Sequence, residues 1–101
     1  MAVLDLLGRR WALRILWELR AGAATFRELR ARCDGVSPTV LNTRLRELRA
    51  AGIVALDPGA GFATTADGAA LLAALAPVQT WADAWGKRTA RASRRRSARA
   101  P

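Results

Sequence analysis

Between Thr25 and Ala51 the chain turns back on itself within a few residues, and no other stretch limits its fold so tightly. Phe26, Leu29 and Cys33 recur at helical spacing, and Leu41, Leu45 and Leu48 do so again further on. Asp34-Gly35-Val36 separates the two runs, with Gly35 free to adopt positive φ. Thr25-Phe26-Arg27-Glu28 fits a capping box, in which two side chains satisfy backbone amides at the helix start. Ser37-Pro38 opens the next helix, the hydroxyl at the N-cap and the proline at the first helical position, where its missing N–H costs nothing. Two short helices around a glycine-bearing turn make a helix-turn-helix unit.

The flanking segments complete the pattern. Val3, Leu4, Leu6 and Leu7 open the chain and Gly8 interrupts them; Trp11, Ile15, Leu16 and Leu19 then define a helix expected to end near Ala21-Gly22. Gly52 stops the helix begun at Ser37. Ile53 to Leu56 reads as a strand, residues 57–61 as a turn and Phe62-Ala63-Thr64 as the returning strand. A last helix is expected from about Ala66 to about Lys87, with Leu71, Leu72, Leu75, Val78, Trp81 and Trp85 on its apolar side and Pro77 kinking or interrupting it. The expected fold is mainly α with a small β-hairpin, a winged helix-turn-helix carrying a long C-terminal helix for dimerisation.

Composition narrows the chemistry. With 101 residues the chain is one domain. A single cysteine, Cys33, and no histidine exclude an internal disulfide, a zinc site of ordinary ligands and His-dependent catalytic sets. Without paired carboxylates in a motif or a phosphate-cradling glycine loop, no enzyme is expected, and no cofactor or metal. No apolar run reaches the ~20 residues of a membrane span, so the expected setting is cytoplasmic. Of 17 Lys+Arg, seven fall in residues 87–101, where there is no acid; the remaining ten face eight Asp+Glu, so the body carries only about +2 of the total +9. Residues 1–88 are therefore taken as the domain and 89–101 as a basic tail, disordered on its own. Arg94, Arg95 and Arg96 suit nucleic-acid phosphates, and equally a merely solubilising tail.

The helix from Pro38 carries the functional signal. With Leu41 set inward, Thr39, Thr43, Arg46 and Ala50 lie opposite, flanked by Asn42 and Glu47. Asn pairs bidentately with adenine, Arg with guanine, and Thr meets a base edge or a thymine methyl. Such a face can also be simply solvated, but Ser37 ahead of it supplies a hydroxyl and nearby N–H groups suited to a phosphate. Arg49 is assigned to the DNA-binding set with these residues, and Arg27 to non-specific phosphate contact.

The ordered set Leu7-Gly8-Arg9-Arg10-Trp11, Ile15-Leu16-x-x-Leu19-x-x-Gly22, Phe26-x-Glu28-Leu29, Gly35-Val36-Ser37-Pro38-x-x-Leu41, Leu45-Arg46-Glu47-Leu48, Gly52-Ile53-Val54 and Thr65-x-x-Gly68, with Trp81 thirteen residues on, resembles HxlR-type winged-helix transcription regulators. The resemblance spans roughly residues 3–86. It implies a cytoplasmic bacterial regulator acting as a homodimer on double-stranded DNA, with the helix matching 38–51 in the major groove and the hairpin matching 53–64 beside it. It implies a phosphate contact for Ser37 and base-facing roles for Thr39, Asn42, Thr43 and Arg46. It also implies dimerisation through the terminal helices, whose candidates here are Leu4, Leu7, Trp11, Leu75, Val78, Trp81 and Trp85. Leu56 to Thr65 hold no basic residue, unlike the usual wing, and one expectation is that the arginine tail supplies that missing charge.

Other readings compete at single residues. Cys33 could sense oxidants, with Arg30 and Arg32 lowering its pKa, or be an inert buried thiol. Trp11, Trp81 and Trp85 fit core or dimer packing better than base stacking, and Trp17 faces a partner subunit or a small cavity. An unknown small-molecule effector is compatible with the chain, though no residue set specifies one. The rival classes are a protein-binding winged helix and an RNA-associated basic protein, the latter without exposed aromatic platforms for single strands.

Overall fold

The computed structural model describes residues 2–99, with side chains through Arg96. Helices α1 (Ala2–Leu7), α2 (Ala12–Glu18), α3 (Phe26–Arg32) and α4 (Pro38–Ala50) precede strands β1 (Val54–Asp57) and β2 (Gly61–Thr64), and α5 (Ala66–Arg99) closes the chain. Both punctuated helix starts form as their sequences dictate. Thr25 Oγ1 accepts from the Glu28 amide at 3.1 Å while the Thr25 amide donates to Glu28 Oε1 at 3.0 Å. The Thr25 amide first and its hydroxyl second, helped by Arg32, hold the Glu28 carboxyl below its usual range. Ser37 Oγ accepts from the Val40 amide at 3.1 Å, and Gly35 takes φ +90° in the intervening turn.

One core joins these helices. Ile15, Leu16 and Leu19 of the α2 region, Leu29 and Cys33 from α3, and Leu41, Leu45 and Leu48 from α4 are all fully buried. Each such aliphatic side chain stabilises the fold by about 1.5–3 kcal/mol relative to exposure. Helix α2 is central, packing against α3, α4 and α5.

The hairpin pairs antiparallel with Val54 opposite Thr64 and Asp57 opposite Gly61. A third, one-residue strand is added by Ala24, whose amide donates to the Phe62 carbonyl at 2.9 Å and whose carbonyl accepts from the Phe62 amide at 2.7 Å. Gly61 makes this approach feasible: at φ +100°, a Cβ there would sit 2.5 Å from the Ala24 oxygen. The wing then locks to α5, because Thr65 Oγ1 donates to the Gly52 carbonyl at 2.6 Å and accepts from the Gly68 amide at 3.1 Å.

Several local expectations are corrected. Helix α2 ends at Glu18 rather than near Gly22, and Trp11 stands outside it as an N-cap with φ +76°. Leu7, expected at a dimer surface, is buried in the protomer's own core, because the turn at Gly8 folds α1 onto the helices behind it. Helix α5 passes through Pro77 without interruption. The carbonyl that loses its amide partner belongs to Ala73, an exposed position open to solvent. Nor does the helix stop near Lys87: it continues through the basic segment to Arg99, so the expected disordered tail is helical over its described length, and residues 100–101 lie outside the described residues. Alanine and arginine are strong helix formers and no Gly or Pro lies between Gly86 and Arg99, so propensity outweighs charge repulsion along a helix already nucleated.

Candidate nucleic-acid interface

Burying Leu41, Leu45 and Leu48 turns the opposite side of α4 outward. Ser37, Thr39, Asn42, Arg46 and Arg49 are exposed and Thr43 is half-buried, so the predicted set lies along one accessible face. Thr43 Oγ1 donates to the Thr39 carbonyl at 2.9 Å, which commits its proton to the helix and leaves its oxygen as an acceptor. Asn42 and Arg46, one helical turn apart, set side by side an amide and a guanidinium, groups whose geometry suits the edges of adenine and guanine.

Charge gathers at the start of this helix. On one side Arg27 and Arg30 line an open cleft of about 580 Å³ that reaches Ser37 and Pro38. On the other, Arg10 and Arg44 border a smaller cleft of about 260 Å³ with Trp11, Val40 and again Ser37. Because Ser37 Oγ accepts from Val40, its hydroxyl proton is free to point into either cleft, at the positive end of a 13-residue helix. Arg27, expected to make a non-specific phosphate contact, lines the first cleft; Arg10, Arg30 and Arg44 were not singled out for this region, since only the packing of α2 and α3 on α4 brings them near Ser37.

Glu47, the acid within α4, is restrained. Glu47 accepts from Arg44 at 2.7 Å and pairs with Arg9, while Arg44 Nε donates to the Arg10 carbonyl at 2.9 Å. Arg9 is exposed while Arg44 and Glu47 are half-buried, and pairs still open to water add little stability. Their effect is to neutralise a carboxylate that would otherwise repel phosphates, and to tie the segment before α2 to α4.

Elsewhere the candidates divide. Leu4, Val78, Trp81 and Trp85 are exposed, the two indoles stacked at 6.0 Å, whereas Trp11 and Leu75 are half-buried against the core of their own protomer. Trp17 lies under the Arg20 guanidinium at 4.0 Å and lines a cavity of about 90 Å³ with Leu13, Leu72, Leu75, Val78 and Gln79. Cys33 is buried, and desolvation pushes its thiol up; Arg14 opposes this and Glu18 adds to it, so neither Arg30 nor Arg32 acts as expected. Among the described residues no helix is long and apolar enough to cross a membrane.

Comparison with known proteins decides the family. The HxlR-like helix-turn-helix family matches residues 6–90. The chain belongs to this family. It is 32% identical over 87 residues to the HTH-type transcriptional regulator YvaP of Bacillus subtilis, covering 80% of this chain and 81% of that one. A crystal structure of quinone-bound YodB from B. subtilis superposes with a TM-score of 0.75 at 33% identity, over 81% of this chain and 92% of the other. A possible HxlR family factor from Thermoplasma volcanium gives 0.79 at 27% identity, over 84% and 82%. HxlR-like proteins are transcription regulators rather than enzymes, and this chain is accordingly a DNA-binding regulator with a winged helix-turn-helix fold.

Proposed function

We propose that the protein is a cytoplasmic homodimeric repressor that reads double-stranded DNA with the outer face of α4. Thr39, Asn42, Thr43 and Arg46 read bases in the major groove. Arg49, Ser37 and Arg27, joined by Arg30, hold the adjoining backbone. The observation that carries this reading is the accessible polar face of α4 beside two arginine-lined clefts that converge on Ser37. Phosphate contacts fix register on the duplex and base contacts choose the sequence, and here both kinds of donor lie on one helix and its approach.

Dimerisation is supported by the exposed Val78, Trp81 and Trp85 of α5, an apolar stripe that one protomer does not cover, and by the exposed Leu4 of α1. A twofold dimer uses that patch on both subunits and sets two α4 helices about 34 Å apart, one turn of DNA. An apolar effector is supported by the small cavity between α2 and α5, next to the proposed dimer face, and by the quinone held by the related YodB. A thiol-based response is not part of this reading, because Cys33 is buried and its thiolate disfavoured.

Selection of bound fragments from genomic DNA tests the whole proposal. The expected product is a site with twofold symmetry and half-sites one helical turn apart, and loss of the protein is expected to raise transcription from the adjoining promoter. Fragments without symmetry or a shared sequence would overturn the base-reading dimer. Sedimentation at micromolar concentration is expected to give a dimer; a monomer there removes that half of the proposal.

A further inference from the structure

The arginine segment, expected to supply phosphate charge that the wing lacks, is carried by the helical continuation of α5 and stands away from the hairpin. Val78 and Gln79 still line clefts with Leu13, Trp17 and Glu18, and beyond them Trp81 and Trp85 are exposed. At 1.5 Å per residue, Arg88 then lies about 13 Å and Arg95 about 24 Å beyond Gln79 along the rod. The molecule accordingly measures 58 × 26 × 24 Å. A helix projecting this way cannot fold back over the hairpin that opens it.

We propose that the distal part of α5, Lys87 to Arg96, is a separate, sequence-independent contact for the phosphate backbone of duplex DNA. Lys87, Arg88, Arg91, Arg94, Arg95 and Arg96 are all exposed, and among the described residues none is in an ion pair. Helical spacing sets Arg88, Arg91 and Arg95 on one face, with Lys87 and Arg94 along one edge and Arg96 along the other. No acid interrupts the set. Arg91 to Arg96 lie beyond residues 6–90, the part matched to the family.

The rest of the segment selects among anionic partners. Its uncharged residues from Lys87 to Arg96 are Thr89, Ala90, Ala92 and Ser93. A helix that settles into a lipid interface needs bulky apolar side chains opposite its charges, and a single-strand binder needs aromatic platforms; this segment has neither. A rigid row of arginines without hydrophobic bulk is complementary to a surface of regularly spaced phosphates, which duplex DNA presents at one charge per ~1.7 Å of axis.

The test uses the full-length chain, a random-sequence 30-bp duplex and the triple variant R88Q/R91Q/R95Q. Three phosphate contacts contribute a salt slope of roughly −2.7, so between 50 and 200 mM salt the wild type is expected to lose about 40-fold more affinity than the variant. The charge-preserving R88K/R91K/R95K is expected to keep the wild-type slope. An N42A/R46A variant is expected to keep that slope too while losing sequence preference, so failure of α4 as the reading helix and failure of this contact give different results. An unchanged slope in the glutamine variant overturns the proposal, and so does tighter binding to a 30-nucleotide single-stranded RNA or to phosphatidylserine vesicles than to the duplex.

Discussion

Helices α4 and α5 are both amphipathic by sequence, yet they end up in opposite situations. In α4 the apolar stripe is fully consumed: Leu41, Leu45 and Leu48 vanish into the core and leave the polar face as the surface. In α5 only Leu71, Leu72 and Leu75 reach the core, and Val78, Trp81 and Trp85 stay exposed on a helix leaving the body. A stripe that matches its protomer's core fixes the orientation of everything opposite it. A stripe longer than that core has apolar surface left over for another molecule. The first arrangement leaves the polar face proposed to read DNA, and the second leaves the apolar surface proposed to form the dimer.

Substitution within the two stripes is the strongest way to break this contrast. Leu45→Ala is expected to destabilise the protomer by about 2–5 kcal/mol in urea unfolding, because it opens a cavity between α2 and α4. Trp81→Ala with Trp85→Ala is expected to dissociate the dimer in sedimentation while shifting the unfolding of the monomer far less. If the tryptophan pair proved as costly to the isolated protomer as Leu45, the contrast between the helices would fail. Thr25→Ala sharpens the comparison on the other helix of the motif, with an expected loss of about 1 kcal/mol through the cap that orients α3. The Glu28 carboxyl bonded to Thr25 is held below its ordinary value of 4.5. Its contribution is therefore complete above that value and lost as pH falls through the lower folded value. The difference between wild type and Thr25→Ala is expected to shrink on acidification, as followed by thermal melts from pH 7 to pH 3. Smallest is Glu47→Gln, which removes a carboxylate shared by Arg9 and Arg44; stability is expected to change by under about 1 kcal/mol, while those arginines gain freedom to meet phosphates. A filter-binding comparison on one duplex checks the second part.

What was legible in the sequence was local. Caps at Thr25 and Ser37, the Gly35 turn and the leucine spacing of α4 are decided within a few residues, and so the fold class and the outward set of α4 followed from them. Ala24 was not legible as a strand, because its pairing with Phe62 spans 38 residues and involves only one position. Arg10, Arg30 and Arg44 were missed for the same reason: their meeting at Ser37 is made by tertiary packing. Leu7 was misassigned because an apolar residue on a short terminal helix reads alike for core and for interface. In the basic segment, charge density suggested disorder, whereas the uninterrupted alanine-arginine run continued a helix already standing.

The central claim is that Arg46, held outward by the burial of Leu45 and Leu48, reads a base rather than a phosphate. Binding of wild type and Arg46→Ala should be compared on the selected site and on duplexes carrying each single base change within it. The account predicts that the variant loses about 1–3 kcal/mol of discrimination at one base pair per half-site and keeps its preferences at the others. Equal weakening on every duplex, with all preferences intact, would contradict it.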